Sequence, residues 1–377
     1  MTCEDVVVTG IGLQSCLGNL KQSWQQLLLN HSGVELVQPF LNLPSYPLGL
    51  IAAQPANLAY LTRKLVASAI ADAAVELPLR DCGVVIGSSR AAQAQWEELL
   101  LSYPQIAAKV NWWNTLPQAS SLITAQQIQT EGPVLAPMAA CATGIWSIAQ
   151  GFELIQQGYC KRAIVGAVET PITPLTLVGF TQMNALAKTG CYPFAQHREG
   201  LVLAEGGAML ILETATLASR RQASIYGQIL GFGLSCDAYH LNIPEPTGKS
   251  AIAAIGQCFK QTSLSPWDFD YIHAHGTGTK LNDSREVKII NSIFGDKIAV
   301  SSTKGATGHT LGASAALGTA FCLMALKHRQ LPPCVGCNPT DFDLNFVTSA
   351  KPSKIQKALC FSFGFGGQNA VIALASA

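Results

Sequence analysis

The 377-residue chain is 49% hydrophobic and 12% charged, with a formal net charge of +1, against about 25% charged in an average soluble protein. Near-neutrality excludes the basic footprint of a nucleic-acid groove or of binding to an anionic membrane. The length suffices for a large core built as two domains or one duplicated unit, and the shortage of charge predicts that further surface is covered in an oligomer.

The opening MTCEDVVVTG places two acids before a strand-like VVV and lacks the basic region and apolar core of a leader, so export is not expected. The 12 cysteines are scattered, which fits free thiols in a reducing cytoplasm. Only Cys334 and Cys337 form a CxxC, and without a second pair or a histidine cluster this reads as a loop rather than a metal site.

In chain order, DVVVTGIG predicts a strand entering a glycine turn, and residues 21–30 a helix. Residues 36–56, with Pro39, Pro44, Pro47 and Pro55, predict an irregular excursion. YLTRKLVASAIADAAVEL is an amphipathic helix and DCGVVIGSS a strand. Gly10, Gly12 and Ser15 lack the third glycine and the distant acid of a dinucleotide turn, so no such cofactor is expected.

Residues 133–158, PVLAPMAACATGIWSIAQGFELIQQG, put Cys141 where a short apolar strand turns into a helix carrying Ile145, Ile148, Phe152 and Ile155 at helical spacing. Helix N-termini favour a thiolate, so a nucleophile with a lowered pKa is one reading. A buried packing cysteine is the other. RAIVGAVE follows as a strand, and GLVLAEGGAMLILET predicts two strands joined at Gly206 and Gly207.

The helical connector LASRRQAS leads to IYGQILGFG, where the same rhythm begins again near residue 222. An α/β protein of two similar halves, 1–221 and 222–377, is the expectation. In the second half DYIHAHGTGT places His273 and His275 on one face if the strand stays extended, with His275 at its open end. A helix follows over about 283–293. STKGATGH brackets a turn with Lys304 and His309, and the apolar run from Thr310 to Leu326 predicts a buried helix rather than a membrane span. SFGFGGQN surrounds Phe365 with Gly364, Gly366 and Gly367, which lets backbone amides approach a ligand. A thiol, two histidines and an amide-rich loop are what acyl transfer through a thioester requires.

AACATG, HAHGTGT, STKGATGH and SFGFGGQN, in this order, resemble the β-ketoacyl-acyl carrier protein synthases of the elongating, Cys-His-His type. The opening VVVTGIGLQSCLGN, CYPFAQHREGLVLAEGGAMLILE and IYGQILGFGLSCDAYH are similar to that family too, so the resemblance spans nearly the whole chain. It implies the thiolase fold, two halves with central sheets layered between helices (αβαβα), normally as a homodimer.

It further implies decarboxylative condensation of an acyl chain on Cys141 with malonyl-acyl carrier protein, in fatty-acid elongation or a related polyketide or glycolipid pathway. By this resemblance His275 and His309 donate from Nε2 to the enolate oxygen, and the amides of Cys141 and Phe365 hold the tetrahedral oxyanion. Lys304 pairs with Glu286, Thr277 and Thr279 bind the pantetheine arm, and Phe365 gates the acyl chain. No cofactor or metal is implied beyond the phosphopantetheine of the carrier.

The chain departs from the family at 36–75 and 86–120, which are short and poorly matched, and at NWWNTLPQ with Trp112 and Trp113. Ala139 replaces a hydroxyl residue, and Trp146 is expected to restrict the acyl pocket if it points inward. A non-condensing partner subunit resembling the chain-length factors is the competing class, and retention of Cys141 argues against it. A thiolase or initiating synthase is disfavoured because HGTGT and KGATGH occur together.

Overall fold

The structure, a computed structural model, describes residues 4–102 and 112–377. Residues 1–3 of the segment read for a leader, and 103–111 of the poorly matched region, lie outside the described residues.

Among the described residues eleven strands follow one another across a continuous sheet: Asn345–Phe346, Ala299–Ser301, Tyr271–His273, Lys357–Gly364, Gln368–Ala375, Gly227–Cys236, Val6–Ser15, Gly206–Thr214, Arg162–Glu169, Gly83–Gly87 and Val134–Leu135. A twelfth, Gly18–Asn19, folds back on Val6–Ser15. The order repeats itself. Outward from Val6–Ser15 come two antiparallel pairings and then two parallel ones. Outward from Gly227–Cys236 the same succession recurs. The two runs meet where Val6, Val7 and Val8 pair with Ile229, Gln228 and Gly227.

Strand alternation sorts the side chains into layers, because successive residues face opposite sides of a sheet. On Arg162–Glu169, Ala163, Val165 and Ala167 face the central cluster, while Ile164 and Val168 pack with Leu61 and Leu65 of the helix Leu58–Ala73. On Lys357–Gly364, Ala358 and Cys360 face the centre, while Leu359, Phe361 and Phe363 pack with Ile255 of Lys249–Thr262 and Ile290 of Lys280–Phe294. Between the sheets lie Thr143–Gln156 and Ser314–His328. The result is five layers, αβαβα, as expected.

Ser314–His328 is buried on every face from Ser314 through Leu326, which is why its sequence is apolar all round. The stretch Leu311–His328 has the length and composition to cross a membrane, with mean hydropathy 1.2, yet 89% of it is buried inside the protein. The two central helices touch at Gly144, where a Cβ would lie 2.4 Å from the Ala316 nitrogen. Glycine is what allows that approach.

Two elements differ from their predictions: Val6–Ser15 continues as a strand through Gly10 and Gly12 instead of turning there, and GLVLAEGGAMLILET holds one strand rather than two. Only Gly206–Thr214 of GLVLAEGGAMLILET is a strand. Leu201, Leu203 and Ala204 instead make single bridges to Leu186, His309 and Gly49. Three different neighbours claim this stretch, so it ties loops together, and one of those loops carries His309.

Candidate active site

Cys141 sits on a sharp elbow before Thr143–Gln156. Ala140 is held in the left-handed region at φ 45°. Thr143 supports this strained turn, its hydroxyl accepting from the Ala139 N–H at 2.9 Å and donating to the Ala140 carbonyl at 2.6 Å. Ser362 Oγ donates to the Cys141 carbonyl at 2.9 Å. A Cβ on Gly364 would lie 2.9 Å from the Cys141 nitrogen, so only glycine lets the end of Lys357–Gly364 come this close.

Cys141 is 8% exposed. Burial pushes its thiol up to about 11, against the opposing pull of the Lys304 ammonium and the Phe365 N–H. This corrects the expectation of a lowered pKa: loss of water outweighs the helix terminus, so the resting group is a thiol.

His275 lies beyond Tyr271–His273, on a loop turned by Gly276 at φ 43°. The strand ends at His273, so the two histidines do not share a site. His273 instead sits with its Nε2 3.0 Å from Thr303 Oγ1 and its Nδ1 3.7 Å from Cys360 Sγ. The His275 loop is pinned by two acids one turn apart on Lys280–Phe294. Glu286 accepts from the amides of His275 at 2.6 Å and Gly276 at 2.8 Å, and Asp283 from that of Thr277 at 3.1 Å. Lys304 Nζ donates to the His275 carbonyl and stands 3.4 Å from its Nδ1.

The expected Lys304–Glu286 pair is thus not a direct contact: among the described residues no ion pair joins them. The carboxylate oxygens are engaged by amides, and the ammonium is turned to the histidine. Burial raises Glu286 to about 7 and lowers Lys304, with Glu286 opposing the latter.

His309 is anchored through its backbone, N–H to the Val202 carbonyl at 2.7 Å and carbonyl to the Ala204 N–H at 3.1 Å. Its Nδ1 accepts from the Leu311 N–H at 3.1 Å. A backbone N–H can only donate, so Nδ1 carries no proton and Nε2 does. An ammonium also only donates, so Lys304 fixes the same tautomer in His275. Burial, followed by the charge of Lys304, holds both rings well below the usual imidazole range, so they are neutral at pH 7.

The rings are 5.5 Å apart and nearly perpendicular at 84°. One side-chain donor or acceptor atom from each of Cys141, His275 and His309 falls within 4.8 Å of the others. A metal ion could use that spacing, but ligation needs a free Nε2 lone pair and both tautomers place a proton there. The arrangement suits two N–H donors aimed at an oxygen.

All three line one cavity of about 460 Å³, together with Thr277, Thr279 and Phe365. The Thr277 and Thr279 hydroxyls are 2.8 Å apart. Phe365 stacks on Phe180 at 6.0 Å. Trp146 is not among the residues lining this cavity: it is half-buried against the central cluster, and among the described residues its buried indole N–H has no hydrogen-bond partner. Trp112 and Trp113 stack on each other at 4.0 Å, exposed and away from the cavity.

Sequence reasoning missed Ser314, Ser362 and Arg285. Arg285 lines the cavity with its Nη1 3.2 Å from Asp237 Oδ2. Its place one residue before Glu286 gave no signal, because a helix face says nothing of which cavity it borders.

Residues 54–218 match the family model of the beta-ketoacyl synthase N-terminal domain, and 226–338 that of the C-terminal domain. The chain is 34% identical to a 3-oxoacyl-(acyl-carrier-protein) synthase 2 from Synechocystis sp., over 98% of this chain and 97% of that one. The protein of the same name from Coxiella burnetii is 32% identical over 98% of each. A solved type II polyketide acyl-carrier protein in complex with its ketosynthase bound to the hexaketide superposes with TM-score 0.93 at 25% identity, covering both chains fully. The ishigamide ketosynthase/chain length factor gives TM-score 0.91 at 24% identity over both full chains, which speaks to fold alone. Matched by both domain models in order, and by relatives above 30% identity along its whole length, the chain belongs to the beta-ketoacyl synthase family.

Proposed function

We propose that this chain joins a Cys141-bound acyl group to the malonyl thioester of an acyl carrier protein, releasing CO2 and a 3-ketoacyl carrier. The convergence of one thiol with two neutral Nε2–H donors is the observation that carries this reading. In this reading the Cys141 sulfur attacks the acyl thioester of the carrier's phosphopantetheine, and the amides of Cys141 and Phe365 hold the oxyanion. The C–S bond to the carrier breaks, and the departing thiolate takes up the proton that Cys141 gives up.

Malonyl carrier then enters, its pantetheine arm bound by the hydroxyls of Thr277 and Thr279. Its carboxylate leaves as CO2, and the bonding pair becomes an enolate whose oxygen accepts from His275 and His309. The enolate carbon attacks the acyl carbonyl, the C–S bond to Cys141 breaks, and the released thiolate takes a proton from solvent. Neutral donors suit this step, because a water-excluding site strengthens a preorganised hydrogen bond to developing charge. Phe365, stacked on Phe180, gates the acyl chain in this reading. The chain's own residues supply all of these groups, so the reading calls for no cofactor besides the carrier's arm.

Three further readings accompany this one. The repeated strand order supports division into thiolase-like halves 1–221 and 222–377. The sheet edge at Val134–Leu135, with Leu135 39% and Met138 56% exposed, supports a homodimer closing over it. Eleven free cysteines among the described residues fit a reducing cytoplasm.

Retention of Cys141, His275, His309 and Lys304 disfavours a non-condensing partner role. The test is turnover: acyl carrier and malonyl carrier should yield CO2 and 3-ketoacyl carrier in equal amounts. Absence of both with every donor would overturn the proposal.

A further inference from the structure

We propose that Ser314 is a positioning residue for His309, locking its imidazole in the tautomer that presents Nε2–H to the enolate oxygen. The inference rests on the condensing function proposed above. Ser314 is the first residue of the buried helix Ser314–His328 and is itself buried. Its Oγ lies 2.9 Å from His309 Nδ1 and 3.1 Å from Thr310 Oγ1.

The Leu311 N–H already makes Nδ1 an acceptor, so the Ser314 hydroxyl must donate to it as well. That leaves the Ser314 lone pairs to accept from Thr310, giving a relay that runs Thr310 to Ser314 to Nδ1. Leu311, whose N–H makes that contact, adopts φ 44°, a left-handed conformation uncommon for leucine. A strained backbone and a buried hydroxyl thus converge on a single nitrogen that never touches substrate.

The charged and titratable groups around His309 are the Cys141 thiol, the His275 ring and Lys304. Glu169, beside Gly312, is engaged by Ser88, Ser89 and Arg90 instead. Among the described residues no carboxylate bonds to the His309 ring, so nothing there favours an imidazolium or a protonated Nδ1. Two donors on one lone pair oppose both.

Without Ser314, one donor remains. Ser314→Ala should cut malonyl-carrier decarboxylation about tenfold, a change of about 1.4 kcal/mol, and move the acid limb of its pH profile to higher pH. Cys141 acylation should fall less than twofold. Ser314→Thr should restore the rate, and Thr310→Val should shift the limb in the same direction by less.

The tautomer can also be read without turnover, from histidine ring 15N resonances. The parent should show Nε2–H at His309, and Ser314→Ala a mixture. A folded Ser314→Ala whose ring spectrum and acid limb match the parent, or whose acylation and decarboxylation fall equally, would show a packing residue only. Should the parent not decarboxylate malonyl carrier at all, the condensing function would fail, while the ring spectra would still decide the role of Ser314.

Discussion

Lys304→Met isolates what the buried ammonium does. In the structure Nζ donates to the His275 carbonyl and faces Nδ1 at 3.4 Å, while Glu286 holds the same loop through two amides. Methionine keeps the stem and removes the charge. The loop should stay in place, because both Glu286 contacts survive.

The His275 carbonyl would be left buried and unpaired on that side, costing about 1–3 kcal/mol. Relief of a desolvated ammonium offsets part of that, so the melting temperature should change by only a few degrees. The chemistry should change far more. With no donor on Nδ1, His275 is no longer fixed as an Nε2–H donor, and losing one preorganised donor to a developing oxyanion costs about 10²–10³ in rate.

Decarboxylation, followed as CO2 release from malonyl carrier, should therefore fall about 10²-fold in a protein whose circular dichroism matches the parent. Acylation of Cys141 should also slow, because Lys304 is the largest influence opposing the rise in its thiol pKa. A folded Lys304→Met that releases CO2 within threefold of the parent would refute the claim that the ammonium sets the His275 tautomer.

Two other outcomes follow from the geometry. His309→Ala removes one enolate donor but leaves the thiol and its amides, so acylation by intact mass should stay within about threefold while CO2 release drops about 10²-fold or more; unaltered condensation would sink the enolate role. Glu205 is fully buried, and burial raises its carboxyl from 4.5 to about 7. The folded state therefore binds the proton more tightly than the unfolded chain, and stability from this group is lost as pH rises from about 4.5 to about 7. Glu205→Gln should accordingly gain on the parent between pH 5 and pH 8 by up to about 3 kcal/mol, measured by urea unfolding, and a pH-independent difference would contradict the burial argument.

Local sequence carried much of the architecture. Alternation in RAIVGAVE and ALCFSF set which residues face the central helices, and the all-round apolar character of Ser314–His328 set its place between the sheets. The four motifs named Cys141, His275, His309 and Phe365, all of which line one cavity.

What sequence could not supply was competition in three dimensions. A helix N-terminus predicted an acidic thiol at Cys141, but burial depends on residues hundreds of positions away, and it dominates. The family resemblance pairs Lys304 with Glu286, although each finds a different part of the His275 loop. Trp146 followed the nucleophile at a spacing that left its direction open, and the helix turns it to the core. Leu201–Ala204 looked like a strand because it is apolar, yet its partners are three separate loops.

The most direct test is intact-mass analysis of the protein mixed with a ladder of acyl-carrier thioesters, alongside Cys141→Ala. The account predicts a mass increase of one acyl group on the parent, with an optimum in chain length, and none on the variant. Equal labelling of both proteins, or no adduct on the parent with any donor, would contradict it.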